Sequence, residues 1–301
     1  MMKKVLLIGR RHHGEKNNVH LLADGLRGYL EGAEADWAHW EDLLVSVRRS
    51  GVKVEIIRDG QRTDLAEFNL LITMGWSHEK LYSDLAHTVA LYAGANGNEV
   101  WNSEVSKARS MTKVSQIFKA HQAGIAVPET IFSLDTAKAI NHNFLPLPLI
   151  AKDPTASRGR RNFFVTSAQE LEALPGKDCP LILQEYIEND SSDIRIITAG
   201  GQPALAFRRV GSGGHLHNTS AGAAAELIEI DNLPAELASA SRHIAKLFNR
   251  ELTGIDFIID KNSKRYIFLE VNGMPQLSSG AFLDEKLKAL AADISSRKET
   301  K

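Results

Sequence analysis

The stretch "GIDFIIDKNSKRYIFLEVN", residues 254–272, decides the fold because it contains two apolar runs joined by a polar turn. Each run is rich in β-branched and aromatic residues, which favours a hairpin of two strands. If the turn is centred near Ser263, Asp256 lies opposite Glu270. The two-residue period of a strand then puts Asn272 on the same face as Glu270. The hairpin therefore predicts two carboxylates and an amide oxygen on one patch.

Such a patch suits a hard divalent cation such as Mg2+, especially one that is shared with phosphates. A second interpretation stays open at this point. Asp256 and Glu270 each stand between apolar residues, so simple alternation also allows two solvent-facing acids on a half-exposed strand.

The segment "LQEYIENDSSDIRI", residues 183–196, places a polar gap between two predicted strands. By itself this gap is equally well explained as a solvated turn on the surface. The strands "DIRIITAG" and "QPALAFRRV" follow and are joined by Gly-Gly, which favours a second hairpin. A helix is predicted at 235–249. The last third of the chain therefore reads as antiparallel strands with one helix.

Two lysines upstream are candidates for binding phosphate. Lys152 ends a predicted strand, 147–152, just before a loop that contains Gly159 and three arginines. Ammonium, guanidinium and backbone N–H groups there would suit phosphate oxygens. Lys113 lies in a predicted helix, 105–123, where a lone lysine is more often a solvated residue.

The first hundred residues alternate strands with helices, which predicts a parallel sheet. Between the first strand and the helix predicted from residue 19, the only glycines are Gly9 and Gly14. The G-x-G-x-x-G dinucleotide pattern is therefore absent, which excludes an NAD-dependent oxidoreductase. The predicted elements are strands at "KVLLIG", "VKVEII" and "FNLLITMG" and helices at 19–31, 36–49 and 79–93.

Ligands of open parallel sheets bind at the carboxyl ends of the strands. Two loops with polar and aromatic side chains fall there, and a substrate contact is one interpretation of them; a solvated loop without a ligand is the other. The candidate residues are Arg10, Arg11, His12, His13, Trp76 and His78.

Composition bounds the class of protein. The 301 residues are 43% hydrophobic and 24% charged, and 36 Lys plus Arg nearly balance 37 Asp plus Glu. No global field therefore recruits nucleic acid or an anionic membrane, so any anion site must be local. The single cysteine, Cys179, fits a reducing compartment, and no signal or membrane segment is evident, so we expect a cytoplasmic protein. A homo-oligomer stays open.

Residues 102 to 272 resemble the ATP-grasp superfamily, most closely its branch of ribosomal-protein glutamate ligases and glutathione synthetases. The resemblance is specific because several motifs occur in order and at suitable spacing. These motifs are "NSEVSKARSMTK", "GIAVP", "LIAKDPTASRGRRN", "LQEYIENDSSDIRI", "RRVGSGGHLHN", "GIDFIID" and "LEVNGMP".

The resemblance implies a site for ATP and Mg2+. Arg208, ten residues before Asn218, matches the family arginine that faces the transferred phosphoryl group. The polar gap would leave room for the ribose. The residues implied for the nucleotide are Lys113 and Lys152 at the phosphates, Glu185 and Tyr186 at adenine, Asp193 at the ribose, and Asn218. The implied metal ligands are Asp256, Glu270 and Asn272.

The resemblance also implies an α/β and α+β fold, with a parallel N-terminal α/β domain followed by a two-lobed ATP-grasp region of antiparallel sheets. It implies domains at 1–110, 111–184 and 185–301. It also implies an ADP-forming ligase that joins a carboxylate to an amine through an acyl phosphate, with small-molecule or peptide substrates. A nucleotide-binding regulator without catalysis is the alternative. Leu216 stands where the glutamate ligases have an arginine, so a preference for acidic substrates is not carried over.

Overall fold

The computed structural model describes residues 2–11, 19–49, 51–74, 80–103, 112–134, 136, 140, 145–154, 161–174, 180–211, 224–273 and 275–297. The N-terminal strands are β1 (Lys3–Gly9), β2 (Ala33–His39), β3 (Leu43–Arg48), β4 (Gly51–Arg58), β5 (Gln61–Asp64), β6 (Leu70–Thr73) and β7 (Glu99–Trp101). The later strands are β8 (Thr130–Phe132), β9 (Leu149–Lys152), β10 (Asn162–Val165), β11 (Ile182–Glu185), β12 (Ser192–Ala199), β13 (Gln202–Val210), β14 (Ala224–Ile228), β15 (Thr253–Ile259) and β16 (Tyr266–Asn272). The helices are α1 (Val19–Arg27), α2 (Lys80–Asn96), α3 (Lys113–Gln122), α4 (Ala168–Glu172), α5 (Ala235–Phe248) and α6 (Leu283–Ser296).

The predicted parallel sheet is confirmed. Its strand order is β2-β1-β6-β7, and all three pairings are parallel. The continuous apolar run of β1 is buried from Val5 to Ile8, as expected for a strand covered on both faces. The mixed fold class is likewise confirmed.

The predicted helix at 36–49 is wrong. Residues 33–39 form β2, a 3₁₀ turn follows at Trp40–Asp42, and β3 begins at Leu43. β3 belongs to an antiparallel sheet of order β3-β4-β5 that the sequence did not indicate. The amphipathic spacing misled because Trp37 packs against one core cluster while Ala38 packs in another, on the opposite face of the strand rather than on one helical stripe.

Two further antiparallel sheets make up the remainder. The central lobe has the strand order β10-β9-β11-β8, and the C-terminal lobe has the order β14-β13-β12-β15-β16. The predicted Gly-Gly hairpin joins β12 to β13, where Gly200 and Gly201 both adopt positive φ, as such tight turns require. The chemistry-bearing hairpin is β15–β16, and its predicted register is confirmed because Asp256 pairs with Glu270.

The N-terminal domain and the C-terminal lobe share one hydrophobic core. Side chains of β1, α1 and β6 pack in the same cluster as side chains of β12, β13 and α6. The central lobe instead has its own cluster, built from β9, β10, β11 and α4. By packing, α3 lies with the C-terminal sheet, since Ile117 and Ala120 join the cluster of Phe257 and Phe268. None of the helices in the described ranges is long and apolar enough to span a bilayer.

Asn102 ties the two bodies of the shared core together. Its side chain donates to the carbonyls of Thr73 and Leu252, at 3.2 and 2.9 Å, and accepts from the Leu252 N–H at 3.0 Å. Its own N–H donates to the Glu251 carboxylate. The residue has a φ of 62°, a region that asparagine tolerates better than most side chains. One buried amide therefore joins the ends of β6 and β7 to the start of β15.

We expect Asn102→Ala to lower the free energy of unfolding by about 2–4 kcal/mol, because it leaves buried backbone groups unpaired and puts alanine at positive φ. Asn232→Ala, in an exposed 3₁₀ turn, is the matched control and should change it by less than about 0.5 kcal/mol. Chemical denaturation of both variants measures the difference. Equal losses would show that Asn102 is not the tie described above.

Candidate active site

One face of the C-terminal sheet, the ionic face, carries the charged side chains of the site. In the strand pairing Asp193 lies opposite Arg209, Arg195 lies opposite Asp256, and Asp256 lies opposite Glu270. Because directly paired residues point to the same side of a sheet, all five side chains share a face. The opposite face carries apolar residues and is covered by α5.

Asp256 is the centre of this face. Arg195 donates to both of its carboxylate oxygens, at 2.7 and 2.6 Å, and Arg209 lies 3.2 Å from Oδ2. Arg209 also donates to both oxygens of Asp193, at 2.6 Å each. Burial alone would raise the pKa of Asp256, but the two guanidiniums hold it well below its usual range. Desolvation raises the pKa of Asp193 to about 6 although Arg209 opposes the shift. Asp256 is thus an ionised carboxylate at the pH of a cell.

Glu270 and Asn272 continue the face toward the other lobe. The Asn272 side-chain amide donates to Glu270 at 3.1 Å and lies 3.4 Å from Asp256. Its carbonyl oxygen is the atom of this amide that a cation would use. Two carboxylates and one side-chain amide therefore lie together, as the hairpin geometry predicted. Their oxygen atoms are of the kind that Mg2+ prefers, with the Asn272 amide rotated so that its oxygen faces the ion.

Both predicted phosphate lysines lie beside Glu270. Lys113 Nζ is 3.7 Å from its carboxylate. Desolvation lowers the pKa of Lys152 to about 8; Glu270 opposes this shift and Lys113 adds to it. The structure thus brings together Lys113 from α3, Lys152 from the end of β9 and Glu270 from β16, three elements that are far apart in sequence.

Gln116 positions α3 against the β15–β16 hairpin. It lies one helical turn after Lys113, and its side-chain oxygen accepts the Val271 N–H at 3.0 Å. Arg250 donates to the Val271 carbonyl at 2.6 Å. The backbone between Glu270 and Asn272 is therefore fixed from both sides, and Lys113 is held near it.

Among the described side chains, the face carries four cations and three carboxylates. The cations are Lys113, Lys152, Arg195 and Arg209, and the carboxylates are Asp193, Asp256 and Glu270. A patch of this kind favours a polyanion that brings its own metal over a free cation. The triphosphate of ATP with Mg2+ has that chemistry.

Arg208 is not brought to this face. It pairs with Ile194, so its side chain leaves the sheet on the opposite side from Asp256. There it donates to the Ser192 hydroxyl at 2.9 Å and to the Asp190 carboxylate. The adjacent Arg209 is the one that faces the carboxylates. A role for Arg208 at the transferred phosphoryl group stays a prediction, and this alternation does not favour it.

The predicted nucleotide-base residues lie at the junction between the lobes. Glu185 ends β11 and exchanges hydrogen bonds with the Glu129 backbone, and Tyr186 packs edge-on against Phe164 at 4.8 Å. Asp193 is buried and held by Arg209, so the structure does not present its carboxylate to a ribose. Its contact with the sugar stays a prediction. Asn218 and Leu216 lie outside the described residues.

The N-terminal loops are described only in part. Arg10 stacks over the Tyr82 ring at 4.8 Å, and Arg11 donates to Asp42 at 2.6 Å. Tyr82 in turn donates to Glu41 at 2.8 Å. The other predicted contacts of these loops lie outside the described residues, namely His12, His13, Trp76 and His78.

Sequence reasoning missed three residues of the site: Arg195, Arg209 and Gln116. The signal for the arginines was present in "DIRI" and "FRRV", since alternation puts Arg195 with Asp193 and separates Arg209 from Arg208. Gln116 had no such signal, because its partner is a backbone N–H that is 155 residues away.

We expect Asp256→Asn to lower the free energy of unfolding by about 3–5 kcal/mol, because it leaves two buried guanidiniums with one carboxylate fewer. Glu270→Gln removes a more exposed charge at nearly constant volume and should cost less than about 1 kcal/mol. Denaturation midpoints of the two variants test the contrast. Similar losses would contradict the central position given to Asp256.

Comparison with known proteins places the chain. A model of the RimK-like ATP-grasp domain matches residues 107–291. The α-aminoadipate–LysW ligase LysX of Sulfurisphaera tokodaii is 33% identical over 165 residues, which cover 51% of this chain and 55% of that protein. LysX of Sulfolobus acidocaldarius is 25% identical over 258 residues, 79% of this chain and 90% of that protein. The chain thus spans about half the length of the first relative and most of the second.

Solved structures of ATP-grasp ligases have a similar fold. A structure of the ATP-grasp ligase PsnB, complexed with a phosphomimetic variant of its minimal precursor, Mg and ADP, superposes with a TM-score of 0.69. The identity is 20%, and the superposition covers 97% of both chains. Since the domain match spans more than half of the residues and contains the ionic face, the chain belongs to the RimK-like ATP-grasp family.

Proposed function

We propose that this ATP-grasp chain is an ADP-forming ligase that joins a carboxylate to an amine, with ATP and Mg2+ as cofactors. The substrates are of the amino-acid, peptide or small-carboxylate class. The observation that carries the proposal is the convergence of Lys113, Lys152, Asp256, Glu270 and Asn272 between two antiparallel sheets. Residues from both lobes meet there, as a nucleotide bound between the lobes requires.

The relatives support the class of substrate. Both LysX proteins are α-aminoadipate–LysW ligases, and PsnB was solved with a minimal precursor, Mg and ADP. For this chain we take from them an amino acid or peptide as substrate, without the identity of either partner. The balanced charge and single cysteine support a cytoplasmic setting and argue against nucleic acid or membrane as partner.

Each side chain of the face has a role in this reaction. Lys113 and Lys152 bind phosphate oxygens, because their ammonium groups lie together at the junction of the lobes. Asp256, Glu270 and Asn272 would hold Mg2+, which would neutralise charge at the phosphates. Arg195 and Arg209 lie next to these ligands and stabilise charge that moves onto the transferred group.

The chemistry then runs in two steps. A substrate carboxylate oxygen attacks the γ-phosphorus of ATP, the bond to the bridging oxygen breaks, and ADP leaves. The acyl phosphate is next attacked at its carbonyl carbon by the amine, which loses a proton as inorganic phosphate departs. The products are an amide, ADP and inorganic phosphate.

One observation favours a second candidate, a nucleotide-binding regulator without turnover. Both oxygens of Asp256 accept hydrogen bonds from Arg195, so metal binding has to displace at least one of these contacts. A regulator would bind ATP at the lysines and leave these ion pairs in place. Turnover distinguishes the two functions.

We expect ADP and inorganic phosphate, without AMP or pyrophosphate, when the protein turns over Mg-ATP with pooled amino acids. Phosphorus NMR of the mixture measures all four species. Glu270→Gln should lose turnover while its circular dichroism stays unchanged, because it removes one metal ligand. Pyrophosphate formed in proportion to product would exclude the acyl-phosphate route, and absence of any turnover with bound ATP would favour the regulator.

We expect Lys152→Met to weaken ATP binding at least about tenfold, because a charge-assisted contact to phosphate contributes roughly 1.5–3 kcal/mol. Lys246→Met, on the exposed side of α5, changes the same charge away from the site and should leave the affinity within about twofold. Titration with a fluorescent ATP analogue compares them. Equal affinities in the two variants would rule out the phosphate role of Lys152.

A further inference from the structure

The segment that follows the β15–β16 hairpin crosses the ionic face, which is the side of the C-terminal sheet that carries Arg195 and Asp256. We call residues 275–282 the strap. Pro275 packs so closely on Gly254 that a Cβ built at Gly254 would lie 2.8 Å from the proline ring. The same Cβ would lie 3.7 Å from Arg195 Cδ. Gly254 pairs with Asn272 and shares the face of Asp256, so the strap lies directly beside the arginine that holds Asp256.

The strap also reaches the N-terminal domain. Leu277 is buried in the shared core together with residues of β1, α1 and β6. Phe282, at the other end of the strap, packs against Phe207 at 5.6 Å. The strap therefore forms a wall where the N-terminal domain meets the ionic face.

Lys286 holds this wall from behind. The residue lies in the first turn of α6, and only 4% of its surface is exposed. Its ammonium donates to the carbonyls of Gln276 and Ser279, at 3.2 and 3.0 Å. Gln276 has a φ of 55°, so part of the strap is in a left-handed conformation that side chains rarely adopt. The two hydrogen bonds stabilise that conformation.

Burying the ammonium of Lys286 has a desolvation cost. Within the described part of the chain Lys286 forms no ion pair with a carboxylate, and Nζ lies 5.8 Å from the centre of the Phe207 ring. Burial, together with the nearby positive charge of Arg195, lowers the pKa of Lys286 to about 8. An apolar side chain of the same length would fill this space without the desolvation cost. The ammonium therefore serves the two carbonyls rather than the packing of α6.

We propose that Lys286 is a positioning residue: it fixes the strap over Gly254 and thereby shapes the subsite of the molecule that is joined, without touching ATP. The proposal rests on the ligase function for its catalytic consequence. Its structural half stands independently of that function, because the contacts of the strap exist without substrate.

Hydrogen exchange tests the structural half. In Lys286→Met the amides of residues 276–282 should exchange about tenfold faster, which corresponds to ~1.4 kcal/mol of lost local stability. Exchange in the β15–β16 hairpin should stay unchanged. Lys288→Met is the matched control, since Lys288 is exposed on the same helix with its Nζ 5.8 Å from the centre of the Tyr29 ring. If Lys286→Met does not fold, Lys286→Gln, which is too short to reach both carbonyls, replaces it. Unchanged exchange in the strap would overturn the proposal.

Kinetics tests the functional half, with the pooled common L-amino acids as probe. Lys286→Met should raise the half-saturating concentration of the pool about tenfold, while kcat stays within about threefold. The affinity for a fluorescent ADP analogue should stay within about twofold. A purely structural role would lower kcat and nucleotide affinity together, and that result would overturn the proposal. Faster exchange in the strap with an unchanged half-saturating concentration of the pool would also overturn it. Absence of turnover in the unmutated protein sinks the ligase function but leaves the exchange result decisive for the strap.

Discussion

The carboxylate of Asp256 is the interaction on which the ionic face depends. Two guanidiniums converge on it, and one of them also holds Asp193. Four charged groups are thereby buried at a mutual spacing that satisfies them, and each would be costly to bury alone. Their positions follow from three paired strands, β13, β12 and β15, so the charge pattern and the strand register are one constraint.

This face is completed from outside the sheet. Lys152 comes from the central lobe and Lys113 from α3, while Gln116 joins α3 to the backbone of β16. Lys152 therefore belongs to an element whose hydrophobic cluster is separate from those of the other site residues. A ligand that contacts both Lys152 and the C-terminal sheet would therefore stabilise one arrangement of the central lobe against the C-terminal lobe.

The parts of the fold that the sequence predicted are those with strong local signals. The β15–β16 hairpin has clear alternation and a polar turn, so the pairing of Asp256 with Glu270 was available from its letters. The continuous apolar run of β1 and the following alternation of elements likewise indicated the parallel sheet. Local chemistry was sufficient for these elements because their partners are close in the chain or their faces are uniformly apolar.

The failures came from long-range packing. Residues 36–49 have spacing that suits a helix, yet the edge of the parallel sheet draws 33–39 into a strand and a separate antiparallel sheet draws in 43–48. Arg208 and Arg209 lie on opposite sides of β13 because of strand alternation, which motif spacing does not record; the role of Arg208 stays a prediction. The hydrogen bonds of the Gln116 and Lys286 side chains to backbone groups could not be predicted either, because no local sequence pattern indicates them.

The shared core of the N-terminal domain and the C-terminal lobe has a consequence for how such chains can be rebuilt. Because Ile197, Leu205 and Phe207 pack on side chains from β1 and α1, removing the first hundred residues would uncover a broad apolar surface on the lobe that carries Asp256 and Glu270. The N-terminal domain is thus not an interchangeable module. Replacing it with a different domain would require redesign of the residues that form this shared surface. The central lobe has a separate hydrophobic cluster and is therefore the part that could be exchanged as a unit.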